Sequence, residues 1–159
     1  MAYNPQVNAP TTSVNSAAVA LPADQAQFTT PLNVTLQERT TGGAAAYHLV
    51  TAGGTNVSNV NATSSPTSTK IIGWFIYNNA TSARKVIFYD ALSTTTITVG
   101  TSPAQYFSLV IPASSGANVS MPAGIQFNNG IRIATVTGIA DNDNVGVTIN
   151  DLSINIFYK

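Results

Sequence analysis

The sequence predicts an all-β fold, a jelly-roll-like β-sandwich preceded by an extended N-terminal arm. Residues 38–159 consist of short runs rich in Val, Ile, Tyr, Phe and Thr, separated by clusters of Gly, Pro, Asn and Ser at intervals of about ten residues. No segment has the apolar period of a long amphipathic helix. The 159 residues fit one domain of ordinary size. Because the composition changes after Gln37, we assign residues 1–37 to the arm and residues 38–159 to the β-domain.

The arm is predicted from its prolines. Residues 1–37 hold four of the eight prolines, Pro5, Pro10, Pro22 and Pro31, and contain no glycine. Proline at this density is incompatible with long helices and with interior strands. Two interpretations remain open, a disordered tail and a segment that lies along a neighbouring subunit through main-chain contacts.

Nine strands are expected in the β-domain, and turn-forming residues separate them. The predicted strands are residues 44–51, 56–62, 70–78, 84–91, 106–111, 118–121, 131–137, 145–149 and 152–158. Strands this short and this numerous favour a two-sheet sandwich. A jelly roll is favoured over an immunoglobulin-like arrangement because the chain has no cysteine and therefore no Cys-Trp-Cys pattern.

Several predicted strands are apolar on both faces. Alternation in the run 71–77 places Ile72, Trp74 and Ile76 on one face and apolar residues also on the other. A sandwich covers one face of each sheet, so the second apolar face needs a partner. We expect an interface with another polypeptide, and the alternative is cover by residues 1–37. The predicted interface residues are Ile71, Phe75, Tyr77, Ile87, Tyr89 and Tyr106.

Charge and cysteine content exclude several classes of function. Six Lys and Arg balance six Asp and Glu, and only 8% of residues are charged, so the chain lacks the basic surface that binds nucleic acid or anionic membrane. Without cysteine there are no disulfides or thiolate metal sites. The apolar runs are too short to span a bilayer, which predicts a soluble chain. A neutral surface of Thr, Asn and Ser suits a protein held in an assembly.

The residues needed for catalysis are scarce. The sole histidine, His48, lies in a predicted strand, and no Gly-x-Ser-x-Gly motif accompanies it. The run 141–144 alternates Asp and Asn, but Leu152 stands where an EF-hand needs a glutamate, so a plain turn is favoured over a loop cation site. We therefore expect no enzyme, no catalytic residue, no cofactor and no metal.

Sugar binding is a further possibility for the tyrosines. Tyr77, Tyr89 and Tyr106 have rings that can stack on a sugar, and the same rings suit a buried subunit contact. The interface is favoured because no sequence pattern gathers the three into a pocket.

Three short motifs connect the sequence to a known class of proteins. These are Tyr77-Asn78-Asn79, the run 140–143 (Ala-Asp-Asn-Asp) and Phe157-Tyr158-Lys159, and the likeness covers residues 67–159. In these stretches the chain resembles small virion structural proteins of tailed bacteriophages, of the capsid cement or decoration type. The resemblance implies a jelly-roll-like sandwich that binds the major capsid protein on the outer shell, often as a trimer.

Together these observations predict a non-enzymatic virion protein on the surface of a phage capsid. In this role it bridges capsid subunits and stabilises the head, and its partner is the major capsid protein. The expected oligomeric state is a homo-oligomer, preferably a trimer. The alternative is a tail or fibre component that binds a host surface glycan.

Overall fold

A computed structural model describes residues 43–159, which form eight β-strands in two four-stranded antiparallel sheets. The strands are β1 (Ala45–Gly54), β2 (Val57–Ala62), β3 (Thr69–Asn78), β4 (Arg84–Asp90), β5 (Phe107–Ile111), β6 (Ser115–Phe127), β7 (Gly130–Val136) and β8 (Val147–Tyr158). The described residues contain no helix. The predicted arm, residues 1–37, and its boundary with the β-domain lie outside them.

The strand order is that of a jelly roll. The first sheet has the order β1-β8-β3-β6 and the second β2-β7-β4-β5, so consecutive strands alternate between the sheets for much of the chain. Between β1 and β2, Gly53 and Gly54 take positive φ values of 90° and 83° where the chain leaves the first sheet for the second. The predicted all-β, jelly-roll-like sandwich is confirmed.

The core between the sheets is apolar and centred on aromatic rings. Trp74 of β3 lies 6.3 Å from both Phe88 and Phe107, and the last two rings stack at 4.3 Å. Around them pack Ile76, Ile133 and other aliphatic side chains from both sheets. The alternation of β3, β4 and β7 supplies these residues, because every second side chain of each strand points to the same side.

The largest differences from the predicted strand boundaries are at β8 and β6. The expected strands 145–149 and 152–158 form one strand, β8, which continues through Asn150 at a positive φ of 63°. Asparagine accepts this conformation more readily than most residues, so the Asn-Asp pair bends the strand without ending it. The strand expected at 118–121 extends over Ser115–Phe127 because the turn is made by Ser114, and Ser115 already pairs with Asn78.

The prediction that Ile71 lies on the outer face with Phe75 and Tyr77 is wrong. The pairing of β3 shifts between Ile71 and Gly73 against both neighbouring strands. Relative to β8, Ile72 is an extra residue in a β-bulge, whereas on the other side the extra residues belong to β6, between Ser120 and Ile125. A bulge reverses the alternation of side chains on one side of it. Ile71 therefore points inward and is fully buried in the core.

Two loops seal the outer face of the second sheet. Ile87 and Tyr89 point away from the core, yet both are buried, because Ala91 and Val99 of the β4–β5 loop pack against them. Arg132 of β7 holds this loop by donating hydrogen bonds to the carbonyls of Leu92 and Thr95. The cover that the sequence required for this face thus comes from the chain's own loop.

The β7–β8 loop is fixed to the same sheet by a buried lysine. Lys85 of β4 is 1% exposed, and its Nζ donates to the Ala140 carbonyl at 3.1 Å and to Asp141 Oδ1 at 2.7 Å. Within the loop, Asp143 Oδ2 accepts the Gly138 N–H at 2.7 Å. The Asp/Asn run at 141–144 is therefore a structural turn whose carboxylates are hydrogen-bonded.

Candidate protein-interaction surface

The outer face of the first sheet carries an exposed aromatic cluster. Phe75 and Tyr77 of β3 and Phe157 of β8 have 46%, 39% and 40% of their surface exposed. Phe157 is paired with Gly73, two residues before Phe75, so the three rings lie on the same side of adjacent strands. We call Phe75, Tyr77 and Phe157 the outer aromatic face.

Small and uncharged side chains surround these rings. In the pairing register, Phe75 lies between Asn155 of β8 and Asn118 of β6, and Tyr77 lies between Ser153 and Gly116. His48 of β1 is paired with Asn155 at the far side of β8. The surface thus combines amide and hydroxyl groups with exposed aromatic rings, which are enriched at protein interfaces.

Most charged side chains of the described residues are engaged elsewhere in hydrogen bonds. Arg84 Nε donates to Asp151 Oδ2 at 2.7 Å and connects β4 with β8, while the Asp90 carboxylate accepts the N–H groups of Asn128 and Asn129. With Lys85 and Arg132 holding the loops, these residues serve the fold. The outer aromatic face is left without a lysine, arginine or carboxylate among the register partners of its three rings.

Of the predicted interface residues, the structure brings together Phe75 and Tyr77. Ile71 lies in the core, and Ile87 and Tyr89 lie beneath the β4–β5 loop. These three are inaccessible to another chain, because a bulge and a loop provide cover that strand alternation alone does not reveal.

Tyr106 is exposed but lies apart from the outer aromatic face. Half of its surface is accessible, its hydroxyl donates to the Gln126 carbonyl at 3.0 Å, and its ring meets Phe127 edge-on at 5.0 Å. It closes an edge of the sandwich between β5 and β6. The tyrosines considered for sugar stacking, Tyr77, Tyr89 and Tyr106, are thus at three separate places.

The sequence analysis missed Phe157 as a surface residue. Ile154 and Ile156 of β8 are fully buried, so alternation places Phe157 on the opposite side of the strand. That signal was present in the sequence. Only the pairing of β8 with β3, two strands about 80 residues apart in the chain, shows that Phe157 lies beside Phe75 and Tyr77.

A cavity of about 260 Å³ opens on the other side of the sandwich, between the two loops that cover the second sheet. Tyr89 lines it from β4, Gly100, Thr101 and Gln105 from the β4–β5 loop, and Asp141 and Asn142 from the β7–β8 loop. Burial raises the pKa of Tyr89 above its usual value, and a backbone hydrogen bond from Gly100 offsets part of this rise.

The groups considered for catalysis are dispersed. His48 lies exposed on β1, whereas Asp143 and Asp151 are held by Gly138 and Arg84. Among residues 43–159 no three His, Cys, Asp or Glu side chains come close enough to hold a metal ion. The same residues include no helix long and apolar enough to cross a membrane.

Comparison with known proteins yields little. The sequence matches no protein family and no curated protein. One solved structure, described as the crystal structure of PirA, aligns with 77% of this chain and 98% of its own, at 12% identity and a TM-score of 0.36. A similarity this low indicates neither a shared family nor a shared function.

Proposed function

We propose that this protein is a non-enzymatic virion structural protein, a cement or decoration subunit that stabilises a phage head by bridging capsid subunits. Its partner is the major capsid protein and its location the capsid surface. The proposal rests on the resemblance of residues 67–159 to such proteins and on the outer aromatic face.

The outer aromatic face is the single observation that carries the proposal. A single exposed ring is common on protein surfaces, but three large rings exposed on the same side of two adjacent strands indicate an interaction site. Aromatic residues are enriched at the buried centres of interfaces, where they contribute much of the binding free energy. Attachment of this face to a shell protein would remove the rings from water.

The physics of cementing fits a surface of this kind. Apolar burial contributes about 25 cal/mol per Å², before the cost of association is subtracted. A stable contact buries roughly 1,000 Å² or more, which exceeds the area of three rings and requires the surrounding Asn and Ser side chains as well. No chemical reaction is involved, because stabilisation comes from area buried across the seam between capsid subunits.

The balance of charge favours a protein partner over DNA. With zero formal net charge, the chain has no excess of lysine and arginine to neutralise phosphates. The partner surface is therefore expected to be uncharged and partly apolar. A trimer is the oligomer that the resemblance implies, and it would bring three copies of the outer aromatic face to one site on the shell.

The proposal is tested by locating the protein in purified particles and by removing it. We expect the protein to co-purify with the capsid at fixed stoichiometry, and particles that lack it to release their DNA at a lower temperature. Deleting residues 1–37 should weaken attachment while the sandwich stays folded, since the described strands pair with one another. A protein absent from particles, or particles of unchanged heat resistance without it, would refute the proposal.

A tail or fibre component that binds a host glycan is the second candidate. The cavity between the two loops is the observation that favours it. The two candidates differ in location, because immunogold labelling of intact particles would mark the head for a cement subunit and the tail for a fibre component.

A further inference from the structure

The cavity over Tyr89 is walled by parts of the chain that the fold holds in place. Gly100 has a positive φ of 80°, and a Cβ at this position would lie 2.6 Å from the Asn142 carbonyl oxygen. The β4–β5 and β7–β8 loops therefore meet at van der Waals distance beside the cavity. Arg132 and Lys85 attach these loops to the sheet, so the cavity is formed before any ligand arrives.

Three polar groups converge on this cavity. Gln105 lines the cavity from the β4–β5 loop, and its side-chain NH2 group has two hydrogens, one for the hydrogen bond to Asp141 and one for a ligand hydroxyl. The Tyr89 hydroxyl carries its proton at neutral pH, since its ordinary pKa is 10.0 and burial raises that pKa further, so it can both donate and accept a hydrogen bond. The Asp141 side chain is 82% exposed, and its carboxylate accepts hydrogen bonds from a ligand as well as from Lys85.

The charges at the cavity cancel. Asp141 is paired with Lys85 at 2.7 Å, and the other lining residues are uncharged. A free anion or cation would thus meet no uncompensated opposite charge. Donors and acceptors without net charge suit a ligand that carries several hydroxyl groups, because each hydroxyl both donates and accepts.

The size of the cavity limits the ligand to about one ring. Cavities that enclose drug-sized molecules have volumes of about 300–1,000 Å³. At about 260 Å³ this cavity is slightly smaller than that range. A single six-membered sugar ring is of a suitable size, and a longer glycan could present its terminal residue.

We propose that the cavity between the β4–β5 and β7–β8 loops binds a neutral, hydroxyl-rich ring, the terminal pyranose residue of a glycan. Gln105, Asp141 and the Tyr89 hydroxyl hold its hydroxyl groups. This site is on the sheet opposite to the outer aromatic face, and it does not depend on the proposed capsid role. A subunit attached through the first sheet would leave the cavity open to solvent.

The test is an NMR titration of the full chain with methyl glycosides of glucose, galactose, mannose and N-acetylglucosamine, each added separately. We expect saturable shifts of the Gly100 backbone amide and the Gln105 side-chain amide with at least one of them. Gln105→Leu should weaken that binding about tenfold, the effect of losing one well-formed hydrogen bond. Thr101→Trp, a change of an exposed loop residue, should block the cavity without altering the core.

The matched control is Asn118→Leu, which removes an exposed amide from the outer face of the other sheet. It should bind the glycoside as the unaltered chain does. Binding lost in Asn118→Leu but kept in Gln105→Leu would move the site to the outer aromatic face and overturn the proposal. Absence of saturable shifts with all four glycosides at millimolar concentrations would overturn it as well.

Discussion

Asn78 shows how a single buried polar side chain organises one end of the sandwich. It is fully buried, its Nδ2 group donates to the carbonyls of Ser82, Ile111 and Pro112, and its Oδ1 accepts the Ala80 N–H at 2.9 Å. These bonds join the end of β3 to the turn before β4 and to the end of β5. The amide is thus a connector between the two sheets.

Asn78→Ala should destabilise the protein by about 2–4 kcal/mol, because several buried backbone groups lose their partner at once. Equilibrium unfolding in urea measures the change. Asn118→Ala is the control, since Asn118 is exposed and should change the free energy of unfolding by about 0.5 kcal/mol or less. Equal losses in the two variants would contradict the role assigned to Asn78.

The Lys85–Asp141 pair predicts that the stability of the fold depends on pH in the acidic range. The hydrogen bond from Lys85, followed by one from Gln105, lowers the pKa of Asp141 below its ordinary value of 3.8. The folded state therefore binds this proton less readily than the unfolded state. The resulting stabilisation is present above pH 3.8 and is lost as the pH falls through the lower pKa of the folded state.

Asp141→Asn should lower stability at neutral pH and flatten its decline below pH 3.8. Urea unfolding between pH 7 and pH 2 measures both effects. Adding Lys85→Met to this variant should restore part of the stability, because the buried ammonium that lost its partner is replaced by an apolar side chain of similar length. If the free energy of unfolding of Asp141→Asn declined below pH 3.8 as steeply as that of the original protein, the pair would have no such effect.

At this scale the sequence indicated residue types but not partners. The twelve charged residues were countable, and the Asp/Asn run at 141–144 was correctly interpreted as a turn. That Lys85 and Arg132 hold loops could not be foreseen, because their partners lie 37 to 56 residues away in the chain.

The bulge in β3 is the element that decides which side chains reach the outer face. Ile72 is the extra residue relative to β8, and Gly73 pairs with both β6 and β8. A Cβ on Gly73 would lie 2.7 Å from the Val119 carbonyl oxygen, closer than a real Cβ comes to backbone. The pair Ile72-Gly73 thus permits the shift that turns Ile71 inward and leaves Phe75 and Tyr77 outward.

Gly73→Ala should cost about 1–3 kcal/mol, since the added methyl group has to displace the backbone of β6. Thermal unfolding monitored by circular dichroism measures the change. Gly43→Ala is the matched control, because a Cβ at Gly43 meets nothing within 4 Å. If Gly73→Ala were as stable as the control, the close approach at the bulge would not constrain the sheet.

Strand existence was predictable from apolar alternation, whereas bulges were not. Seven of the nine predicted strands correspond one to one with β1–β7, and the last two are joined in β8. Two errors fall at Asn150 and Ile72, where one residue changes direction without breaking the strand, and a third is β6, which is longer at both ends than the expected strand 118–121. Alternation within one strand cannot reveal such a residue, because a bulge is defined by the pairing with another strand.

At the scale of the whole described sandwich, the outer face of one sheet is covered and that of the other is exposed. Loops of the chain cover the second sheet and bury Ile87 and Tyr89, whereas among residues 43–159 the first sheet presents Phe75, Tyr77 and Phe157 to solvent. The two-sheet sandwich was predictable from the number and shortness of the strands, and the preference for a jelly roll from the absence of a Cys-Trp-Cys pattern. Which sheet is covered depended on the 16 residues between β4 and β5, whose path over the second sheet no sequence pattern indicated.

Because the outer aromatic face is uncharged, we expect salt to have little effect on the attachment to the capsid. Attachment driven by apolar burial is screened little by ions, whereas contacts between exposed charges weaken as ionic strength rises. The proposed capsid contact should therefore survive washing of particles in molar salt.

The most direct measurement is the number of copies retained per purified particle by the double variant Phe75→Ser/Phe157→Ser, compared with the original chain. The control is Val110→Ser, which removes an exposed apolar side chain from β5 of the other sheet. We expect the double variant to be lost from particles while its circular dichroism spectrum is unchanged, and the control to be retained. Full retention of the double variant would contradict the claim that this face attaches the protein to the shell.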